Sequence, residues 1–360
     1  MPNSVQPLVL EPNLISRSYR GGSRLAKFRS LPIPEDETRP EDWIASTTTV
    51  YGELELGLSR LPDGRLLRDA IRTNPEAFLG DQHAGALGAN PYVLVKVLDA
   101  QQRLSIHVHP SRAFARRYLG TRFGKTEAWY VLAAAPGAQI HLGFRHDIER
   151  QRLQAIVEAG QGESLLDSMH ALAVGAGDAF FVPAGIPHAI GAGILLVEVQ
   201  EPSDLLVRLE TGGGYSFGSL PYELGLGWSK ALEAVDCLGR SAAEIGALKT
   251  HVEFSQVAGV VDLLVPDSAS FFRLEGAAVY NRVSLDPGYR ILLCTRGKGE
   301  VFVGDHAWPL TEGIAMLLPW AAQPLQVAGD LNLILCRPPA VMNIPEEDLE
   351  LAKSRSTPQS

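Results

Sequence analysis

Two histidines stand two residues apart in the segment "LSIHVHP", which runs from Leu104 to Pro110. Side chains alternate between the two faces of a strand, so Ser105, His107 and His109 share one face and the apolar residues between them share the other. Two imidazoles on one face are candidate ligands for a divalent transition metal, but they also fit an ordinary polar face. The choice between these interpretations depends on further ligands elsewhere in the chain.

Two other segments supply such ligands. Glu127 lies in "GKTEAWYV", where strand alternation places it on the same face as Lys125. His188 ends the segment "GDAFFVPAGIPH", in which a turn rich in Gly and Pro precedes the next strand. Three imidazoles and a carboxylate suit zinc, iron, manganese or nickel. The sequence therefore predicts a metal site formed by His107, His109, Glu127 and His188.

A third polar group lies in the apolar segment "EVQEPSDLLVRLE", which contains Glu198 and Arg208. Burying an arginine is costly unless an anion meets it. Arg208 therefore contacts either an anionic substrate or an internal partner such as Asp204 or Glu210, and the residues alone leave both possibilities open. The segment "TGGGY" that follows, residues 211–215, is interpreted as a flexible loop rather than a phosphate cradle.

The elements that would position these residues are mostly strands. The 35 glycines and 24 prolines are scattered and separate short runs of β-branched, aliphatic and aromatic residues, which is typical of a β-sandwich or barrel. Helical patterns occur near 66–80, 111–120 and 147–170 and are interpreted as insertions into this framework. The predicted class is mainly β, with a few inserted helices.

A partial repeat indicates two modules. The spacing of Gly177, Pro183 and Gly185 in "GDAFFVPAGIPH" is partly repeated in "GIAMLLPWAAQP", where Pro324 stands at the position of His188. We predict a metal-binding module over residues 1–245, a degenerate module without a metal over 246–345, and a mobile tail over 346–360.

Composition limits the class of partner. The formal net charge is −9, which disfavours nucleic acid and anionic membranes as partners. Three widely spaced cysteines and the lack of a signal-peptide pattern predict a cytoplasmic protein with free thiols. We expect a monomer or homodimer that acts on a small molecule.

The quoted blocks resemble type I mannose-6-phosphate isomerases of the cupin superfamily. The similarity covers about residues 20–208 and implies two jelly-roll modules and one divalent ion, with zinc as the expected metal. It also implies that Lys125, Glu198 and Arg208 are catalytic. His107 stands where that family usually has glutamine.

The resemblance implies interconversion of mannose 6-phosphate and fructose 6-phosphate through an enediolate, which the metal and Arg208 would stabilise. Glu198 is the candidate base, and a metal-bound water is the alternative. Ser105, Lys125 and Arg208 are the candidate substrate-binding residues. An iron-dependent cupin dioxygenase and a non-catalytic sugar-binding cupin remain open as alternatives.

Overall fold

Antiparallel sheets dominate the fold, which is seen in a computed structural model that describes residues 5–211, 221–257 and 259–354. The strands are β1 (Leu8–Val9), β2 (Leu14–Ile15), β3 (Glu41–Ile44), β4 (Leu94–Ala100), β5 (His107–Val108), β6 (Glu127–Ala134), β7 (Gln139–Phe144), β8 (Met169–Ala173), β9 (Asp178–Val182), β10 (His188–Ile190), β11 (Ile194–Gln200), β12 (Val207–Arg208), β13 (Lys249–His251), β14 (Gly259–Asp262), β15 (Arg273–Val279), β16 (Arg282–Leu285), β17 (Arg290–Val303), β18 (His306–Thr311), β19 (Ala315–Leu318) and β20 (Leu325–Arg337). The predicted mainly β class is confirmed.

Short helices connect the strands. They are α1 (Ser23–Phe28), α2 (Leu67–Thr73), α3 (Pro75–Leu79), α4 (Asp81–Leu87), α5 (Arg112–Leu119), α6 (Arg150–Glu158), α7 (Gly162–Asp167), α8 (Trp228–Ala231), α9 (Ala242–Gly246) and α10 (Glu346–Ser354), with 3-10 turns at Leu232–Ala234, Phe254–Gln256, Pro266–Ser270 and Val341–Asn343. Helices thus occupy the three regions where the sequence patterns placed insertions. None of the helices among the described residues has the length and apolar character needed to cross a membrane.

Two sheets hold the predicted ligands. The larger has the strand order β13-β9-β6-β11-β4-β3-β2, and the smaller has the order β12-β5-β10-β7-β8. Their facing sides pack through an apolar cluster that includes Trp129 of β6, Leu196 of β11 and Ile140 of β7. This packing of sheet on sheet brings β5 and β10 of the smaller sheet against β6 of the larger one, where His188 contacts the Trp129 ring.

A third sheet is built from the C-terminal part of the chain. Its order is β1-β19-β17-β20-β15-β14, with β16 paired to β20 and β18 paired to β17. One face packs against the back of the larger N-terminal sheet, in a cluster that joins Val97 and Tyr130 to Ile291 and Ile334. The C-terminal sheet therefore supports the larger N-terminal sheet from behind.

Two strands cross the boundary predicted at residue 245. Strand β1 pairs with β19 of the C-terminal sheet, and β13 pairs with β9 of the larger N-terminal sheet. Each exchanged strand supplies backbone hydrogen bonds to the edge of a sheet that would otherwise be exposed. A domain boundary drawn along the sequence cannot predict such pairing. The two-module description remains our proposal, with these two strands exchanged.

Residues 346–354, which the sequence predicts to be part of a mobile tail, form the helix α10. Ala352 of this helix is buried in a small core with Leu87, Tyr92 and Phe123, and Asp348 pairs with arginines of α5. Packing against the rest of the protein stabilises a short charged segment that would be marginal alone. Residues 355–360 lie outside the described residues.

The burial of His83 in α4 leads us to expect that the free energy of unfolding falls in mild acid. Its Nε2 lies 2.7 Å from the carbonyl oxygen of Asn90, and burial lowers the pKa of the imidazole to about 4. Because an unfolded histidine titrates near 6.5, the unfolded state takes up the proton first, and stability falls as the pH drops from 6.5 towards 4. His83 should contribute about 2 kcal/mol to the loss in unfolding free energy between pH 7 and pH 5.

Urea unfolding at the two pH values measures this contribution. We expect His83→Gln to be less sensitive to pH than the wild type, whereas the exposed control His146→Gln should match the wild type. Equal pH sensitivity in the wild type and His83→Gln would contradict the assignment.

Candidate metal centre

Three buried imidazoles meet between the two N-terminal sheets. His107 and His188 are Cα partners on the adjacent strands β5 and β10, and their ring centroids lie 4.3 Å apart. The ring centroid of His109 lies 5.0 Å from that of His107 and 4.9 Å from that of His188. One nitrogen of each ring lies within 4.8 Å of the other two, a spacing that can hold a metal ion.

Backbone carbonyls fix the orientation of all three rings. The Nδ1 atom of His107 lies 2.7 Å from the Ser105 oxygen, that of His109 lies 2.9 Å from the Leu205 oxygen, and that of His188 lies 2.9 Å from the Ile186 oxygen. A carbonyl only accepts a hydrogen bond, so each Nδ1 carries the proton and each Nε2 keeps its lone pair. The Nε2 of His188 is buried without a hydrogen-bond partner among the described residues.

Burial keeps the imidazoles of His107 and His109 neutral. Desolvation, followed by Lys125, lowers the pKa of His109 to about 3, and desolvation together with the other two histidines lowers that of His107 well below its usual value. A neutral imidazole with a free lone pair is the form that binds a metal.

The turn before His188 depends on a glycine. Gly185 has φ +94°, and its amide donates to the carbonyl of His109 over 2.9 Å. This left-handed conformation costs little only for glycine. The turn therefore ties the strand that begins at His188 to the segment that carries His109.

Glu127 joins the histidines from the opposite sheet. Its Oε2 lies 3.0 Å from His109 Nε2 and 2.6 Å from Lys125 Nζ, and its Oε1 lies 3.3 Å from His188 Nε2. Burial acts to raise the pKa of Glu127, but Lys125 and His109 hold it well below its usual range. The structure thus brings together all four ligands predicted from the sequence.

His188 belongs to the imidazole cluster beside a cavity of about 320 Å³ that His107, His109 and Glu127 line. Ser105, Lys125, Glu198 and Arg208 also line it, so every predicted catalytic or substrate-binding residue lies on one cavity. Arg208 and His107 are Cα partners on β12 and β5. Burial and the charge of Arg17 lower the pKa of Arg208, so an anion in this cavity would relieve an electrostatic cost.

Sequence reasoning missed Lys96, which lies on the same cavity. This lysine is buried on β4 opposite Glu198 of β11, and its Nζ lies 3.0 Å from Glu198 Oε1. It also lies 4.9 Å from the centre of the Trp43 ring. The available signal was a single lysine inside the apolar run "LVKVL". Burial and the nearby charge of Glu127 raise the pKa of Glu198 despite this lysine.

A second missed group positions the cavity wall near Arg208. Arg17 donates to both oxygens of Asp204, at 2.8 and 3.1 Å, and its Nε donates to Glu41 at 2.9 Å. These residues are far apart in sequence and carry no motif, so only the fold relates them. The other candidate partner of Arg208, Glu210, pairs with Arg103 at 2.8 Å. The segment "TGGGY" lies outside the described residues after Thr211.

This chain is similar to known mannose-6-phosphate isomerases. The family model for the catalytic domain of type I phosphomannose isomerase matches residues 12–129. The mannose-6-phosphate isomerase of Streptococcus mutans is 29% identical over 335 residues, which cover 91% of this chain and 97% of that protein. The resemblance to type I mannose-6-phosphate isomerases that the sequence predicts is confirmed. The family model includes His107, His109, Lys125 and Glu127, whereas His188, Glu198 and Arg208 fall only within the longer alignment.

Solved structures show the same fold. The mannose 6-phosphate isomerase from Bacillus subtilis aligns with a TM-score of 0.71 and 22% identity, over 92% of this chain and all of that one. A mannose 6-phosphate isomerase bound with zinc and yttrium aligns with a TM-score of 0.71 and 18% identity, over 93% of this chain and all of that one. The predicted cupin architecture is confirmed.

Proposed function

We propose that this protein interconverts mannose 6-phosphate and fructose 6-phosphate in a reaction that depends on one divalent metal and passes through an enediolate. The observation that carries the proposal is a cluster of three metal-competent imidazoles at a cavity that is lined by cations and by a buried carboxylate of raised pKa. The match of residues 12–129 to the family model and the names of the relatives support this substrate pair.

The donor set fits a metal such as zinc. His107, His109 and His188 each donate a proton from Nδ1 to a carbonyl, which is the usual support of a metal-binding histidine, and Glu127 adds an anionic oxygen. When bound, the ion would supply Lewis-acid stabilisation of negative charge on the substrate oxygens. The zinc named for one structural relative supports zinc as the first metal to test.

Isomerisation moves one carbon-bound proton. In our proposal the Glu198 carboxylate removes the proton from C2 of the aldose and returns it to C1, while the hydroxyl protons rearrange between O1 and O2. A raised pKa suits Glu198 to this task because a carboxylate that holds a proton more tightly is a stronger base. Lys96, at 3.0 Å, holds this carboxylate in place.

The cations of the cavity match the charge of a sugar phosphate. Arg17, Lys96, Lys125 and Arg208 face the four buried carboxylates Glu41, Glu127, Glu198 and Asp204, while Glu53 stands exposed at the rim. A divalent ion would leave an excess of positive charge, which a phosphate dianion offsets. We assign Arg208 to the developing oxyanion or the phosphate, and Lys125 and Ser105 to the phosphate or a sugar hydroxyl.

NMR of the purified protein with mannose 6-phosphate in D2O tests this proposal. We expect fructose 6-phosphate to form and deuterium to enter at a carbon that exchanges, because an enediolate exposes the transferred proton to solvent. Zinc-loaded protein that gives no fructose 6-phosphate would contradict the proposal. Oxygen consumption would favour a dioxygenase, and sugar binding without turnover would favour a binding module.

His107 allows a graded test of the metal site. A glutamine oxygen can replace an imidazole as a ligand, whereas alanine cannot, so His107→Gln should keep substantial metal and activity and His107→Ala should lose both. Mass spectrometry of metal content and a coupled isomerase assay measure the two properties. Equal metal content and activity in the two variants would exclude His107 as a ligand.

A further inference from the structure

Arg112 links three separate parts of the protein. It is the first residue of α5, which begins after His109, Pro110 and the capping residue Ser111. Its Nε donates to Glu201 Oε1 at 2.5 Å, and its Nη1 donates to Asp348 Oδ2 of α10 at 2.6 Å. Both contacts are charge-assisted and short, and a planar guanidinium can form them at once.

Glu201 connects Arg112 to the start of β6, the strand that carries the candidate ligand Glu127. Its Oε2 accepts a hydrogen bond from the amide of Thr126 at 2.8 Å, and its own amide donates to the Thr126 carbonyl at 3.0 Å. Thr126 stands between Lys125 and Glu127. Glu201 is only 1% exposed, so Arg112 compensates a carboxylate that is otherwise costly to bury.

The other side of Arg112 rests on the C-terminal part of the chain. Its guanidinium lies 4.6 Å from the centre of the Phe271 ring, and its Nη2 lies 3.4 Å from the carbonyl oxygen of Ser270. Asp348 also accepts from Arg116 at 2.6 Å, and α10 is held by its buried core. Contacts with the C-terminal module and with α10 thus hold the Arg112 guanidinium in place.

We infer that Asp348, Arg112 and Glu201 form a relay through which the C-terminal part of the chain positions Lys125 and Glu127 at the metal. The inference rests on the proposed function and gives the C-terminal module a role in it. Among the described residues, these three do not line the cavity, so they are positioning residues. Residues that orient metal ligands affect metal affinity or activity by about 10- to 100-fold.

Arg116 provides a matched control. It pairs with the same carboxylate as Arg112 and from the same helix, but the structure gives it no contact with Glu201 among the described residues. We compare Arg112→Ala, Asp348→Ala and Arg116→Ala by Co²⁺ affinity, by the visible absorption of bound Co²⁺, by steady-state kinetics and by thermal melting. The Co²⁺ spectrum reports ligand geometry whether or not the protein is an isomerase.

The relay predicts a clear difference between these variants. Arg112→Ala should weaken Co²⁺ binding and lower kcat by about 10- to 100-fold with a shifted spectrum and little change in KM, because Arg112 does not touch substrate. Asp348→Ala should change the same quantities less. Arg116→Ala should stay within about twofold of the wild type.

Arg112→Lys provides the test if Arg112→Ala fails to fold. A lysine keeps the charge but cannot contact both Glu201 and Asp348 as a planar guanidinium does. The Co²⁺ spectrum and kcat of Arg112→Lys should therefore lie between those of the wild type and those expected for Arg112→Ala. Folded Arg112 and Asp348 variants with the wild-type Co²⁺ spectrum and affinity would overturn the relay. A wild type that binds Co²⁺ without isomerising mannose 6-phosphate would refute only the proposed function. The relay would still be tested, because the Co²⁺ spectra of the variants and the wild type can be compared without any turnover.

Discussion

Replacing His109 or His188 with alanine should remove the metal and lower isomerase turnover by roughly three orders of magnitude or more. Both rings orient Nε2 towards the shared site through a carbonyl on Nδ1. A bound metal contributes several kcal/mol to stabilisation of a developing oxyanion, and each 1.36 kcal/mol corresponds to about a factor of ten in rate. Mass spectrometry of metal content and a coupled assay measure the two losses.

His141→Ala controls for the general effect of removing a histidine from this sheet. His141 lies on β7, where its Cα partner is Ala189, the residue after His188, but it does not belong to the imidazole cluster. We expect this variant to keep both metal and activity. Normal metal content in His109→Ala and His188→Ala would rule out the assigned ligands.

Arg208→Lys should lower kcat and kcat/KM together by roughly two to three orders of magnitude if the guanidinium acts on the transition state. Arg208 lines the cavity on the strand next to His107, and burial lowers its pKa, so it is placed to meet an anion. A lysine keeps one charge but loses the planar set of donors. If Arg208 only holds the phosphate, KM should rise while kcat stays near that of the wild type.

Arg103→Lys is the matched control for this substitution. Arg103 makes a two-pronged contact with Glu210, at 2.8 and 2.9 Å, and lies outside the cavity lining given by the described residues. Arg103→Lys loses this two-pronged contact, and we expect the substitution to lower the melting temperature more than kcat. An Arg208→Lys variant with normal melting and with wild-type kcat and KM would show that Arg208 takes no part in catalysis.

Local sequence patterns predicted which residues come together at the candidate site better than they predicted the contacts between distant segments. The alternation around His107 and His109, the pair Lys125 and Glu127, and the turn before His188 all depend on neighbouring residues, so the sequence could predict them. The structure places His107, His109, Lys125 and Glu127 on one cavity, and His188 lies beside them.

Contacts between distant segments were beyond this reasoning. The salt bridge between Arg17 and Asp204 spans 187 positions, and that between Arg112 and Asp348 spans 236. The same limitation explains the edge strands β1 and β13 and the helix α10, whose stability depends on partners far along the chain. Lys96 differs, since a charged residue within an apolar run is a local signal that could have been recognised.

Titration of metal-free protein with zinc tests the central claim most directly. The metal is removed with a chelator, and isomerisation of mannose 6-phosphate is measured as zinc is returned, with bound zinc quantified in each sample. The account predicts negligible activity without metal and a linear recovery that saturates at about one ion per chain, because it assigns one metal to the cluster of three histidines and the adjoining Glu127. Full activity in protein shown to be free of metal would contradict it.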